Sequence, residues 1–566
     1  MGVPFDKVTH TIEEFVNANS EEFHQIKLSV KDEVYSPFKE HTNTWLSISA
    51  SESLISTCRD IAIEKIELLV KNYATEMWYI IIRRFPNNAF PNPTWHYYCT
   101  LAALKWSTDQ NIFSTGYYNI EKPGTQEASF AITNELLFDA LRLASYCDCL
   151  ANLTNKQRWI GKGLKLFVDA GLNLILSNDQ AVIESVRAYE ARRPKNMMFE
   201  ETGNPYLSFK VTKAEILFLT DTIDRLPIYI PKSNLTLFFN RFPNLVNVES
   251  MLEYLGPYRE AIFDLYHIKI EAIIQTYYAL SQLIISTIPF DQIDFLNGKI
   301  ILNSDPSKPE DNHRLHFFFG ICHKAYLRFQ LNYLKSQLSI VHKHPLIATE
   351  KTTKELIEDF FNTFLLDESK KNSIDLLQLN NPPIIFLNQD GMCYWDLQYF
   401  YDFFRGLIEK SKNWFASQHG DRFTLTIKSY LQKELQELNV IFFNKVMYFR
   451  NEKFEIDLLI HYKSKIFLIE AKAYAKNRDF WNGYRHAITD RSAKINEAVK
   501  QVSRANELLH NCIKNGAITN LPEHNSIEWV LCFPEQEFLH PLDKFGTING
   551  IPRVCTLEEL VRIINC

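Results

Sequence analysis

The chain has 566 residues, 46% apolar and 23% charged, with a net charge of -6 at neutral pH. That length exceeds one ordinary core and predicts two to four domains, and the composition is globular. Ten scattered cysteines without a Cys-x-x-Cys argue against a disulfide framework or a zinc site and suit a reducing cytosol. Only 17 glycines, beside many Leu, Ile and Lys, favour helices over a turn-rich β protein.

From the start, Met1 to Thr11 lacks a basic stretch followed by an apolar core, so no secretory signal is expected. Ser51 to Asn72 reads as an amphipathic helix, with Leu54, Ile55, Cys58, Ile61, Ala62, Ile66, Leu69 and Val70 on one stripe. Similar patterns run through Glu135 to Leu153, Tyr258 to Ser286 and Arg314 to Ile340. The longest uncharged stretch, Ala272 to Phe290, holds too many Gln, Ser and Thr for a membrane span and reads as a buried helix. Asn87 to Pro93, Asn303 to Pro309 and Asn380 to Pro383 mark loops or boundaries. His313, His316 and His323 lack a carboxylate or second cysteine at ligand spacing and read as ordinary histidines. His342-Lys343-His344 reads as a loop before Pro345, and Asp390-Gly391 as the turn of a hairpin. No phosphate-binding loop and no dinucleotide fingerprint occurs, which argues against an intrinsic nucleotide motor. Residues 1–410 therefore read as a mostly helical region without a catalytic constellation, suited to dimerising, binding nucleic acid or sensing a trigger.

The chemistry gathers further on. Gly420-Asp421-Arg422-Phe423, then Ile427, Leu431, Leu435 and Leu438, has the spacing of an amphipathic helix. Phe454 to Ile460 and Ile466 to Lys472 then form two strands about a two-residue turn at Lys463-Ser464. Asp457 and Glu470 stand equally far from that turn, so the hairpin register sets them opposite each other, with Cβ atoms about 5 Å apart. Two apposed carboxylates repel unless a cation neutralises them or one stays protonated. A hard divalent ion such as magnesium takes one or two carboxylates and keeps waters for a phosphate and a nucleophile. Strand alternation puts Lys472 on the face of Glu470 and turns Ala471 toward the core. Lys472 can orient the water and stabilise phosphate charge, or act as a base; the sequence leaves both roles open. Lys494 to Leu509 reads as a further helix bearing Gln501 and Arg504, followed by strands at Trp529 to Phe533 and Ile551 to Cys555 and a last helix from Leu557. Together these elements give a mixed sheet flanked by helices.

Over residues 415–566 the arrangement resembles the PD-(D/E)xK restriction-endonuclease-like nucleases, in which an Asp and a Glu-x-Lys sit on a central hairpin. The resemblance implies an α/β domain of that fold behind the helical region, with the amphipathic helix opening its core. It implies Asp457, Glu470 and the Ala471 carbonyl as ligands of magnesium, which manganese can replace, with Lys472 as the catalytic lysine. Gln501 matches a helical Gln that supports the lysine or contacts substrate. One position departs from the pattern: Thr424 stands where many members carry a helical Glu, and Asp421, Glu434 and Glu455 lie elsewhere, although Glu455 should share a face with Asp457.

Charge around the hairpin agrees with a nucleic-acid partner. Between 445 and 514 there are 14 Lys/Arg against 8 Asp/Glu, a difference of +6 in an acidic chain. Lys453, Lys463, Lys465, Lys476, Arg478, Arg485, Arg491, Lys494, Lys500 and Arg504 could follow a phosphate backbone, with Tyr474, Phe480, Trp481 and Tyr484 free to stack or to pack. The expected function is a cytoplasmic magnesium-dependent nuclease, acting on DNA rather than RNA, with a homo-oligomeric or regulatory partner and a role in phage defence or restriction. The alternative is a nuclease fold that has lost catalysis and binds nucleic acid or acts as a scaffold.

Overall fold

The computed structural model describes residues 14–82, 94–107, 133–192, 248–287, 326–377, 400–418 and 420–565. It also describes Ile12, Phe85, Phe90 and short strands at 216–218, 293–296, 299–302, 385–387 and 392–396. His313, His316, His323, Asp390, Gly391 and the loops at 303–309 and 380–383 lie outside these residues.

The first part is helical, as its apolar stripes require. Its main helices are α1 (Ser20–Val34), α2 (Ile48–Val70), α3 (Trp95–Trp106), α4 (Asn134–Gly161) and α5 (Gln180–Ala191). Helix α2 buries Ile55, Cys58, Ala62, Ile66 and Val70 at intervals of three and four, and Ser47 caps it by accepting the Ala50 N–H. Helix α4 is buried through most of its length and packs against α1, α2 and α3. The pattern at Tyr258 to Ser286 is not one helix. His267 takes a left-handed conformation (φ 55°) that ends Arg259–Tyr266, and α6 (Ile270–Thr287) starts afresh. Helix α6 is buried from Ile270 to Tyr277 and includes Tyr277 against Phe360 and Trp395. No described helix is long and apolar enough to cross a membrane. At Arg314 to Ile340 the described part is a strand, Tyr326–Gln330, followed by a helix, Leu331–Ile340. The strand pairs with Met392–Asp396, which in turn pairs with Ile385–Leu387 as the expected hairpin. That pairing overrides local helical periodicity.

Helix α7 (Phe400–Gln418) leads to α8 (Gly420–Glu434) and then to a five-stranded mixed sheet. Its strands, in spatial order, are β1 (Asn439–Phe449), β2 (Glu452–Tyr462), β3 (Lys465–Ala471), β4 (Ser526–Cys532) and β5 (Val554–Cys555). The first three are antiparallel, and β3, β4 and β5 run parallel. Two helices serve the sheet, α9 (Arg485–Lys514) between β3 and β4 and α10 (Leu557–Asn565) after β5. Leu458, Ile460, Phe467, Ile469 and Val530 face α8 and α10, in a core continuous with that of the N-terminal helices. On the other face, Leu459, Ile466 and Leu468 meet Val502, Ala505, Leu508 and Leu509 of α9.

The two regions meet backbone to backbone. At the end of α4 a Cβ on Gly161 would stand 1.8 Å from the Gly483 carbonyl oxygen, and one on Gly483 would stand 2.6 Å from the Arg158 Cα. Gly483 also needs its positive φ of 80°. Neither residue tolerates a side chain without separating α4 from the segment that leads into α9. Gly161→Ala should lower stability by roughly 3 kcal/mol or more. Gly516→Ala, at φ 69° with open space around it, should cost only about 1 kcal/mol. Urea unfolding of the two variants measures the difference.

Candidate active site on the central hairpin

The register of β2 and β3 follows the two-residue turn from Tyr462↔Lys465 to Leu458↔Ile469. Asp457 and Glu470 come next, and there the ladder changes. In a continued ladder the Ala471 N–H would face the backbone of Ile456; instead it donates to Asp457 Oδ2 at 2.8 Å. The other side of β2 shows why. Pairing with β1 passes from Phe443↔Leu458 to Lys445↔Ile456, and Asn444 between them has φ 47°. A left-handed residue kinks the ribbon. Apolar alternation slips at the same point, because Ile456 and Leu459 both pack toward α9 while Leu458 packs the other way. Asp457 therefore reaches across to β3 rather than standing on one face of the sheet. Phe454 and Ile456 still share the α9 face, so alternation runs regularly up to Asp457 and slips only beyond it. Glu455 is exposed, yet its charge still acts on Asp457.

Strand β3 carries the rest. Glu470 is buried, and its Oε1 lies 2.7 Å from Lys472 Nζ. The Lys472 N–H donates to the Cys532 carbonyl at 2.9 Å, so β4 fixes the lysine backbone. Ala471 packs on the core face as expected. Burial, and after it the Glu470 charge, push the Asp457 carboxyl up to about 7 against the opposing pull of the Ala471 N–H and Lys472. Burial disfavours the Lys472 ammonium, but the adjoining Glu470 carboxylate outweighs it and holds the lysine above its usual range. The hairpin thus gathers an anion-rich edge beside one ammonium.

Gln501 lies on α9 but is exposed, and it makes no hydrogen bond to Asp457, Glu470 or Lys472. Thr424 is buried on α8 and reaches only the Gly420 carbonyl, at 3.5 Å. Asp421 and Glu434 are exposed, so no acid of α8 replaces the helical Glu. Among the described residues no group of three His, Cys, Asp or Glu is placed to hold a metal, so the carboxylate set here is the Asp457 and Glu470 pair.

The structure divides the basic residues. Arg504 pairs with Glu452 and Glu507, Arg478 with Asp375, and Lys463 donates to the Asn565 carbonyl. Lys476 and Arg491 are buried against Glu535 and Glu537. Lys453, Lys465, Lys494 and Lys500 make no ion pair among the described residues and remain available to a phosphate backbone. Of the aromatics, Tyr474 packs on Phe533 with Arg491 5.5 Å and Lys494 6.0 Å from its ring, while Phe480 and Trp481 cover Lys476.

The Lys476, Glu535 and Glu537 cluster went unread in the sequence. Its signal was an acidic run, Pro534-Glu535-Gln536-Glu537, directly after the apolar strand β4. Helix α5 and the residue after it join this cluster. Arg192 makes a two-pronged pair with Glu559 (2.8 and 2.9 Å) and donates to the Val554 carbonyl of β5.

Comparison with known families agrees with the hairpin. Residues 419–534 match the nuclease-related domain, NERD. That domain is PD-(D/E)xK-like, so the resemblance read from the hairpin holds for the C-terminal region. No curated protein and no solved structure matches the chain. The matched segment contains α8, β1, β2, β3, α9 and β4, and with them Asp457, Glu470, Ala471, Lys472 and Gln501.

The raised Asp457 pKa has a measurable sign. Its carboxyl ionises less readily in the folded chain (about 7) than at the ordinary 3.8. The folded state therefore holds the extra proton, and stability falls as pH rises from about 4 to about 7, then levels off. In chelator, Asp457→Asn should remove this slope, so its stability advantage over the parent grows across that range. Urea midpoints at pH 4.5, 6 and 8 test this; a constant difference would contradict it.

Proposed function

We propose that this protein is a nuclease that hydrolyses phosphodiester bonds at the end of the β2–β3 hairpin, using a bound divalent cation. The observation that carries the reading is the meeting of Asp457, Glu470 and Lys472 at the point where β2 and β3 part, inside the nuclease-related domain. The donor set fits a hard cation. It is all oxygen, it holds two carboxylates, and burial together with mutual repulsion makes the Asp457 charge costly until a positive partner arrives. Magnesium suits two carboxylates because it keeps several waters, and manganese can substitute. Asp457 and Glu470 would hold the ion. The Ala471 carbonyl, pointing along the same strand edge as its N–H, would complete the protein ligands. When bound, the ion neutralises phosphate charge and lowers the pKa of a coordinated water.

Lys472 is an ammonium in this arrangement, so its part is to orient the attacking water and stabilise charge developing on the phosphate. Gln501 enters this reading as a substrate contact from α9 and not as a support for the lysine, a role that its solvent exposure supports. Lys453, Lys465, Lys494 and Lys500 would follow the nucleic-acid backbone, and binding should weaken with salt. DNA is the favoured substrate, the cytoplasm the compartment, and phage defence or restriction the setting that suits a nuclease joined to a large helical region. The division into a helical unit, 1–410, and a nuclease unit, 415–566, belongs to the same reading.

A second reading is supported by Thr424, buried where the resemblance places an acid. In it the domain binds nucleic acid without cutting.

Incubating the full chain with circular duplex DNA, linear single-stranded DNA and RNA, in magnesium or chelator, separates the two. Magnesium-dependent cleavage should fall about 100-fold or more in Asp457→Asn and Glu470→Gln, and by a similar factor in Lys472→Met. Salt-sensitive binding with no turnover would select the second reading. Equal turnover in all variants would remove the assignment of these residues.

A further inference from the structure

Arg59, on α2, is 2% exposed. None of its three guanidinium nitrogens meets a partner at full hydrogen-bond geometry, although the Tyr484 hydroxyl approaches as an acceptor, and Arg59 makes no ion pair among the described residues. A buried charge without a partner is strongly destabilising, and replacing it with an apolar side chain is often favourable. Its surroundings deepen the anomaly. The Tyr484 and Tyr98 hydroxyls stand near enough to act on the guanidinium, while Arg158 of α4 adds a second positive charge that repels it. Arg158 acts on Tyr98 as well, so the two cations and the phenol form one cluster. Beside them the Thr154 hydroxyl is buried and approaches the Tyr98 phenol without reaching full hydrogen-bond geometry. Glu52, two turns before Arg59 on the same helix, is already engaged. Its Oε1 accepts from the Arg485 N–H at 2.6 Å and from Gln157 Nε2 at 3.0 Å.

We propose that Arg59, Arg158, Tyr98, Tyr484 and Thr154 form a binding site for a phosphate group, either inorganic phosphate or the phosphate of a mononucleotide. The donor chemistry selects the ligand. A guanidinium presents its N–H groups in a fixed fork that matches phosphate oxygens, a second arginine supplies charge, and hydroxyls complete a tetrahedral oxyanion. Burial limits the ligand to a small one. The site lies where α2, α3 and α4 meet Tyr484, the residue that leads into α9, so its occupant ties the helical region to the nuclease-related domain. Binding here is independent of cleavage at the hairpin.

The test is thermal unfolding of the full chain at constant ionic strength, titrated with inorganic phosphate, with adenosine 5′-monophosphate, and with chloride as control. A ligand that binds only the folded state raises the melting temperature with its concentration. The parent should respond to one or both phosphate probes and not to chloride, and the probe effective at lower concentration names the source. Arg59→Met should melt higher than the parent without ligand and lose the response. Arg59→Lys, which keeps the charge but not the fork, should bind about tenfold more weakly or worse by calorimetry. No response of the parent to either probe, or an undiminished response in both variants, would overturn the proposal.

Discussion

Asp457 taking the Ala471 N–H is the interaction around which the rest of this site is arranged. A β-ladder leaves no side chain between its strands, so an acid can enter only where the ladder opens. The chain opens it with Asn444 in a left-handed conformation opposite Asp457, while Leu458, Leu459 and Ile460 keep the register fixed directly behind. The apolar core thus presses two acids to one strand edge although they repel. The cost appears at Asp457, whose proton is held to about 7. A divalent cation would offset both the burial and the repulsion.

That edge is braced from outside the matched segment. Beyond Lys472 the chain runs through Lys476, locked on Glu535 and Glu537, to Gly483, which touches Arg158 of α4. Gln157 donates to the Gly483 carbonyl, and Glu52 of α2 takes the first N–H of α9, in the place of a conventional cap. On the far side Arg192 ties α5 to Glu559 and to β5. These buried charges specify how the helical region seats on the sheet, and removing one partner would leave the other unpaired. Helices outside the hairpin thereby set the position of the strand that carries Glu470 and Lys472.

The hairpin was legible because its information is local. A two-residue turn, Lys463-Ser464, fixes register, and period-two alternation fixes the faces of Ile466 to Ile469. Helices α2 and α8 were legible for the same reason, each having a single apolar stripe. What escaped depends on residues far apart in the chain. Asn444 is a residue type that tolerates the left-handed region, yet nothing local in the sequence shows that it adopts it opposite Asp457, where the alternation slips. His267 breaks an otherwise continuous helical pattern through its backbone alone. Lys476 and Arg491 looked like free cations near a phosphate track until Glu535 and Glu537, about fifty residues away, closed on them. Periodicity likewise gave no warning that Tyr326–Gln330 is a strand, because its partner strand lies some sixty residues on.

The account stands or falls on whether the Asp457 and Glu470 edge takes a hard divalent cation. Calorimetric titration of the full chain with manganese near pH 6.5, in two buffers of different ionisation enthalpy, tests this directly. One site should fill with release of a proton, since Asp457 is largely protonated at that pH and must ionise to bind. Glu470→Gln should abolish the binding. Binding that releases no proton, or that persists unchanged in Glu470→Gln, would contradict the account.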